Sequence, residues 1–410
     1  MSELFIIAMK RVALLLLSLI LLLPVCGAQS TLYDLLVKSS ALIDSGLSHK
    51  ALEVLERAPD SMEGHSLSAA RGEVYSSMGR YDQAYSAFKR ADSIMEGSGS
   101  YGLARINALQ GNPAAAVNYL EQSLRSPFRL SERAIMGDKA FTSIYGTPEW
   151  RSFWREERYS PGEQLLEEVK YLTRDGFTDE ADRLLAPYGE RVAYSPDIAH
   201  AFAITAYLRG EYQRAIDLLT PISRQRGEGG TIEILLADSY AATGNNGRAI
   251  AIYSSLIEEA LPDASLLIKR AESYHKSGRD ARALEDIDRY LTFYPGDSRA
   301  LTTAARLLIA SGDRTGALRY LNREIENNPG SRKGYLMRGD IWISSSMWQN
   351  AVEDLSMALD LDPYDGEAYL KKGVALLALG RIDDACHDFN MALMYGNSSA
   401  RRYITNNCRR

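Results

Sequence analysis

The chain has 410 residues, 46% of them apolar and 24% charged, with a formal net charge of −6. That is enough apolar material for a large packed structure, and a mildly acidic chain without a basic stripe lacks the electrostatic footprint of a nucleic-acid binder.

Residues 1–28 read as a secretory signal peptide. Lys10 and Arg11 precede an apolar run from Val12 to Leu23, and Cys26-Gly27-Ala28 stands before Gln29. The run is too short to span a bilayer. Met9, directly before the two basic residues, makes a more usual start than Met1. Cleavage is expected after Ala28. Acylation of Cys26 is the weaker alternative, because Val25 stands where a lipoprotein peptidase prefers a small residue. Removing the leader takes away Lys10, Arg11 and Glu3 and leaves a charge of about −7. Two cysteines remain, Cys386 and Cys408. In an oxidising compartment they could bridge the last helices, although two separate thiols are the plainer expectation.

Residues 29–126 carry a glycine and an alanine five places apart three times: Gly46 with Ala51, Gly79 with Ala84, and Gly111 with Ala116. The second pair has Gly72, Tyr75, Phe88 and Ala91 around it at helical spacing. Each is expected to be a helix–turn–helix unit. Between 127 and 160 the pattern fails. Phe128, Leu130, Ile135, Phe141, Ile144, Trp150, Phe153 and Trp154 there suggest two helices broken near Gly146-Thr147-Pro148. Trp and Phe are mostly core residues, so packing is the expected role of this aromatic density.

From 161 to 399 the pattern becomes strict. Ala181, Ala215, Ala249, Ala283, Ala317, Ala351 and Ala385 recur every 34 residues. Five places ahead of them stand Gly176, Gly210, Gly244, Gly278, Gly312 and Gly380, with Ser346 as the one exception. Pro295, Pro329 and Pro363 share the same period. The glycine supplies the left-handed residue that ends a first helix. The alanine lies where two helices cross, and the proline stops the second helix. Seven units result, beginning at Gly162, Pro196, Gly230, Ala264, Ser298, Arg332 and Gly366. Residues 400–410, with Arg401, Arg402, Arg409 and Arg410, read as a polar capping helix.

With Tyr369, Gly373, Leu376, Ala385, Phe389 and Ala392 in place, and Asn397 where proline is usual, the chain resembles the tetratricopeptide repeat family. The resemblance covers nearly all of the mature chain. It implies an all-α fold, a right-handed superhelical α-solenoid of stacked helix–turn–helix units. It also implies a concave groove lined by the first helices, at the second, fifth, ninth, twelfth and thirteenth places of each unit. The fifth places are Leu166, His200, Ile234, Ile268, Thr302, Leu336 and Leu370. The ninth are Lys170, Ile204, Asp238, Glu272, Arg306, Asp340 and Val374. The twelfth places add Tyr207, His275, Ile309, Ile343 and Leu377. No lysine occupies a fifth place and no asparagine a ninth, so the family's clamp for a terminal carboxylate is missing. An apolar row flanked by both charges suits an amphipathic helix or an extended peptide. Packing of the same residues against neighbouring helices, or against the chain's own N-terminal unit, is the alternative.

Catalytic signals are weak. His49, His65, His200, His275 and His387 lie apart and form no metal-ligand pair, so each is expected at the surface or facing the groove. Asp360 to Gly366 fails as a calcium loop because its third acid and its glycine each come one place late, and it reads as a unit junction. Gly227-Glu228-Gly229-Gly230 lacks the lysine and hydroxyl of a phosphate loop. Glu149, Glu156 and Glu157 near Trp150 set up no carboxylate pair. No enzyme, metal or cofactor is expected. The expectation is an exported, non-catalytic scaffold in a bacterial periplasm or an outer-membrane complex that binds segments of other proteins. An accessory subunit that binds cell-wall glycan or positions an exported enzyme is the alternative.

Overall fold

The computed structural model describes residues 31–189, 195–223 and 230–408. The expected leader with Cys26, the Gly227–Gly229 stretch, Arg409 and Arg410 lie outside the described residues. Among the described residues the fold is helical throughout, without strands, and no helix is long and apolar enough to cross a membrane.

Three helix pairs come first: α1 Leu32–Asp44 with α2 Ser48–Glu56, α3 His65–Ser77 with α4 Tyr81–Ile94, and α5 Ser100–Leu109 with α6 Pro113–Leu124. Next come α7 Glu132–Gly137, a 3₁₀ turn Lys139–Ile144, and α8 Pro148–Phe153. Seven pairs follow. They are α9 Pro161–Arg174 with α10 Thr178–Leu185, α11 Pro196–Leu208 with α12 Tyr212–Leu219, and α13 Thr231–Ala242 with α14 Asn246–Glu258. The next two are α15 Ser265–Lys276 with α16 Asp280–Leu291, and α17 Ser298–Ser311 with α18 Arg314–Asn327. The last two are α19 Arg332–Ser344 with α20 Trp348–Leu361, and α21 Gly366–Ala378 with α22 Ile382–Met394; the closing helix is α23 Ala400–Asn407.

The turn inside each unit follows from one residue. All six glycines of the strict array, Gly176 to Gly380, hold positive φ, Gly312 among them at 85°. The residue after the glycine commonly donates its amide five places back, as Arg381 does to Leu376 (2.9 Å), which satisfies a carbonyl the helix end leaves open. Ser346 takes the same left-handed conformation at φ 57°, and Met347 donates to Trp342 at 2.8 Å. The geometry of the turn is therefore kept where the glycine is lost, at the cost of a Cβ in the left-handed region.

The seven recurring alanines are all fully buried, which is the packing consequence of two helices crossing there. A Cβ on Gly373 would stand 2.6 Å from the Phe389 ring, and one on Gly72 would stand 2.5 Å from Phe88. The close crossings thus depend on both the small residue and the ring opposite it. A second period, unseen from sequence, is ionic. Arg270 forms a two-pronged ion pair with Asp286 on its partner helix and donates to Ser254 of the preceding unit at 2.9 Å. Arg338 repeats the arrangement with Asp354 and Asn322, two units on, and Trp342 donates to Asp354 as well. Each arginine ties together three helices of two units, adding a polar term to the nearest-neighbour packing of the solenoid.

The irregular segment departs from two helices broken only at 146–148. The break is there, with Thr147 capping α8 and Pro148 in its first turn, but the first half is itself divided at Asp138 into α7 and the 3₁₀ turn. Asp138 is the reason: its extended backbone ends α7, and its carboxylate caps the amide of Ala140 at 2.9 Å. The aromatic density is core. Ile135, Phe141, Ile144, Trp150 and Phe153 are buried in one cluster with Ala116 and Leu120 of α6.

The N-terminal helix also makes a contact with units far along the chain. Tyr33 and Val37 belong to the same buried cluster as Tyr253, Leu267 and Phe293. Tyr33 donates to the carbonyl of Asp263, between α14 and α15, at 2.8 Å. Arg289 at the end of α16 pairs with Asp34 at 2.6 Å, donates to Thr31 at 2.8 Å, and lies 4.9 Å from the centre of the Tyr33 ring.

At the other end Cys386 and Cys408 are bonded to each other, with Cα atoms 5.6 Å apart. This corrects the expectation of two separate thiols. α22 and α23 lie side by side, which puts the two residues within disulfide reach, a proximity that spacing along the chain does not reveal.

Candidate functional site

The first helices form one lined surface, and two cavities follow each other along it. The first, of about 510 Å³, lies between the irregular segment, α9, α11 and the start of α13. Leu166 and His200 line it, and both are buried, at 8% and 4% exposure. His200 thus faces the groove while being buried, rather than lying at the surface. Two ion pairs join the irregular segment to α9, Arg129 with Glu163 at 3.0 Å and Arg133 with Glu168 at 3.1 Å, and Lys170 pairs with Glu167 within α9 at 2.8 Å. Burial, followed by the charge of Lys170, lowers the His200 imidazole to about 4, so it is neutral at neutral pH. Burial and then Glu163 push the Asp197 carboxyl above its ordinary range.

The second cavity, of about 450 Å³, lies along α11, α13, α15 and the start of α17. Tyr207, Asp238, Ile268 and Glu272 line it together, so a twelfth place, a ninth and a fifth-and-ninth pair from three successive units converge. Asp238 accepts from the Tyr253 hydroxyl and from Lys269 Nζ, each at 2.5 Å, and Glu272 pairs with Arg299 at 2.9 Å. Burial raises the Tyr207 hydroxyl above its usual value. The wall combines apolar surface with fixed charge of both signs, the composition that anchors a peptide by its apolar side chains and orients it by its polar ones.

The remaining sequence-expected positions do not join these cavities. Ile204 packs into the core of the first two units of the strict array, Ile234 against the cluster that holds Tyr33, and Leu336 and Leu370 into the C-terminal core. All four are half-buried. Arg306, Ile309 and Asp340 are exposed, and Asp340 pairs with Lys371 at 2.8 Å. The fifth-place row is therefore no continuous open stripe. Each such side chain sits at a border between groove and helix–helix contact, and bulky Ile and Leu turn to the contact.

Second places contribute more than the fifth, ninth and twelfth suggest. Glu163, Asp197 and Thr231 line the first cavity, and Ser265 and Arg299 the second. The register alone points to them, since they follow each unit start by one residue. The contribution of Arg129 and Arg133 carries no such signal, because it depends on how the irregular segment folds beside α9. The Asp360–Gly366 stretch is a unit junction: Asp365 caps α21, and Arg332 pairs with both Asp362 and Asp365. Among the described residues no group of three His, Cys, Asp or Glu is placed to hold a metal ion.

No curated protein matches the chain. Among solved structures it is similar to MamA, at 20% identity over 40% of this chain and 97% of that one, with a TM-score of 0.37. It is also similar to YrrB, described as a TPR protein with an unusual peptide-binding site, at 16% identity over 47% and 97% of the two chains, TM-score 0.37. Similarity to the anaphase-promoting-complex assembly Cut9–Hcn1 is 14% identity over 90% and 82%, TM-score 0.44. Tetratricopeptide repeat profiles match residues 66–94, 234–298 and 302–366. With those matches set on helix pairs that share one turn, one crossing alanine and one register, the chain is a tetratricopeptide repeat protein.

Proposed function

We propose that this protein is an exported, non-catalytic scaffold that holds a segment of a partner protein along its first helices. Repeats of this family generally mediate protein–protein interactions, through the extended surface that stacking creates. The observation that carries the reading is the second cavity, where Tyr207, Asp238, Ile268 and Glu272 from consecutive units present apolar and charged groups to one space. Export is supported by the leader-like residues 1–28, and the Cys386–Cys408 bond suits an oxidising compartment such as a bacterial periplasm. Partners bound to an outer-membrane or envelope complex fit the same location.

Ile268→Ser and Glu272→Lys test the reading; both side chains are half-buried and line the cavity, and because Ile268 also packs against the core cluster of Ala271 and Tyr274, helicity is the control. In a crosslinking pull-down of the mature chain from its native envelope, each variant is expected to lose partners the wild type retains, with helicity unchanged. Undiminished partners in the double variant would sink the reading.

A further inference from the structure

The first cavity holds a carboxylate and an imidazole on its wall. Its charges pair off as Arg129 with Glu163, Arg133 with Glu168 and Lys170 with Glu167. Asp197, in the first turn of α11 and packed against Gly162, lies within the field of Lys170 and Arg129, whose own ion pairs are to Glu167 and Glu163. One turn on, His200 lines the same cavity, is 4% exposed, and makes no hydrogen bond among the described residues. Both side chains border the cavity, so a ligand entering it would meet a carboxylate and an imidazole together.

We propose that this cavity takes a cationic side chain, an arginine or lysine of the segment held in the groove, with Asp197 as its carboxylate partner and His200 as a hydrogen-bond acceptor. The inference rests on the groove reading and gives it a specificity. Carboxylates outnumber basic groups on the walls: Glu132, Glu163, Glu167, Glu168 and Asp197 against Arg129, Arg133 and Lys170. An anion would meet the Asp197 carboxylate and the excess of carboxylates around it, and an apolar side chain would give neither Asp197 nor His200 a polar partner. A long basic side chain satisfies each demand at once. Met136, Leu166 and Ile232 line the space for its methylene stem, while its N–H groups reach Asp197 and the imidazole. A neutral imidazole, lowered by burial and by Lys170, offers a lone pair and no repulsion to the incoming cation.

The test is a titration followed by the ring resonances of His200, assigned by comparison with His200→Phe, in the mature full chain. The probes are N-acetyl-L-arginine amide and its neutral isostere N-acetyl-L-citrulline amide, so the charge is varied on the ligand with no change to the protein. The arginine compound is expected to shift the His200 signals saturably, and the citrulline compound to bind at least about tenfold more weakly. Asp197→Asn is expected to weaken arginine binding by a similar factor with circular dichroism unchanged, and Asp383→Asn, exposed in the first turn of α22, to leave it as it was. Equal binding of both compounds, no binding of the arginine compound, or unchanged binding to Asp197→Asn would overturn the proposal. If it falls while a crosslinker at Tyr207 still captures a partner, the groove reading stands; loss of both results removes it as well.

Discussion

The hydroxyl of Tyr33 donates to the backbone carbonyl of Asp263, 230 residues further along the chain. Tyr33 is 1% exposed, and Arg289 closes over it from α16 while pairing with Asp34. A solenoid held only by contacts between successive units would let its first unit fray. Here that unit is fastened to the junction of α14 and α15, which closes the intervening units with a clasp.

Opening the clasp should be measurable. Arg289→Ala is expected to raise the radius of gyration seen by small-angle scattering and to speed hydrogen exchange in α1 and α2. Tyr33→Phe, which removes one buried hydrogen bond, should cost about 1 kcal/mol. In a double-mutant cycle, Asp34→Asn and Arg289→Ala should couple by about 1 to 2 kcal/mol. Strict additivity would mean that the contact carries no energy.

Ser346 occupies the place where six equivalent units carry glycine, at φ 57°. Ser346→Gly removes the left-handed strain on a Cβ and concedes some entropy in the unfolded chain, for a net gain of about 0.5 to 1 kcal/mol in urea unfolding. Gly312→Ala, at φ 85°, is expected to move stability the other way. A destabilising Ser346→Gly would show that the hydroxyl, rather than the turn, is what matters there.

The bond between Cys386 and Cys408 closes a loop with a sequence separation of 22. Reduction is expected to cost about 2 to 3 kcal/mol, concentrated in α22 and α23. Hydrogen exchange of the oxidised and reduced protein, mapped by peptide, checks it. Uniform loss of protection across the array would contradict a local role.

His200 makes stability acid-sensitive. Its folded-state value of about 4 lies below the ordinary 6.5, so the unfolded chain binds a proton more readily between those values. The contribution is complete above about pH 6.5 and is lost as pH falls toward 4, amounting to about 3 kcal/mol. Asp197, whose carboxyl is raised, works in the opposite direction over its own, lower range. Chemical denaturation of the wild type and His200→Phe at pH 7 and pH 4.5 should show the larger acid loss in the wild type. Parallel losses would contradict it.

The fold was legible because its determinants are local and repeated. The crossing alanines and the turn glycines each act within a few residues of themselves, and their period carries the register. The site was legible only in part. Tyr207, Asp238, Ile268 and Glu272 come together as the register implies, but Ile234 and Leu336 turn to helix contacts, which period cannot distinguish from groove lining. The clasp through Arg289 and the cavity wall from Arg129 depend on superhelical curvature and on the irregular segment. Neither property is written in any one unit.

The central claim is that the surface of the first helices holds a partner segment. A photo-crosslinking amino acid placed at Tyr207, which lines the second cavity, tests it most directly, with the same group at the exposed Met394 as control. Ultraviolet irradiation of cells should yield a discrete protein adduct at Tyr207 that is lost in Ile268→Ser and absent at Met394. An adduct at Met394 alone, or no adduct at Tyr207, would contradict the claim.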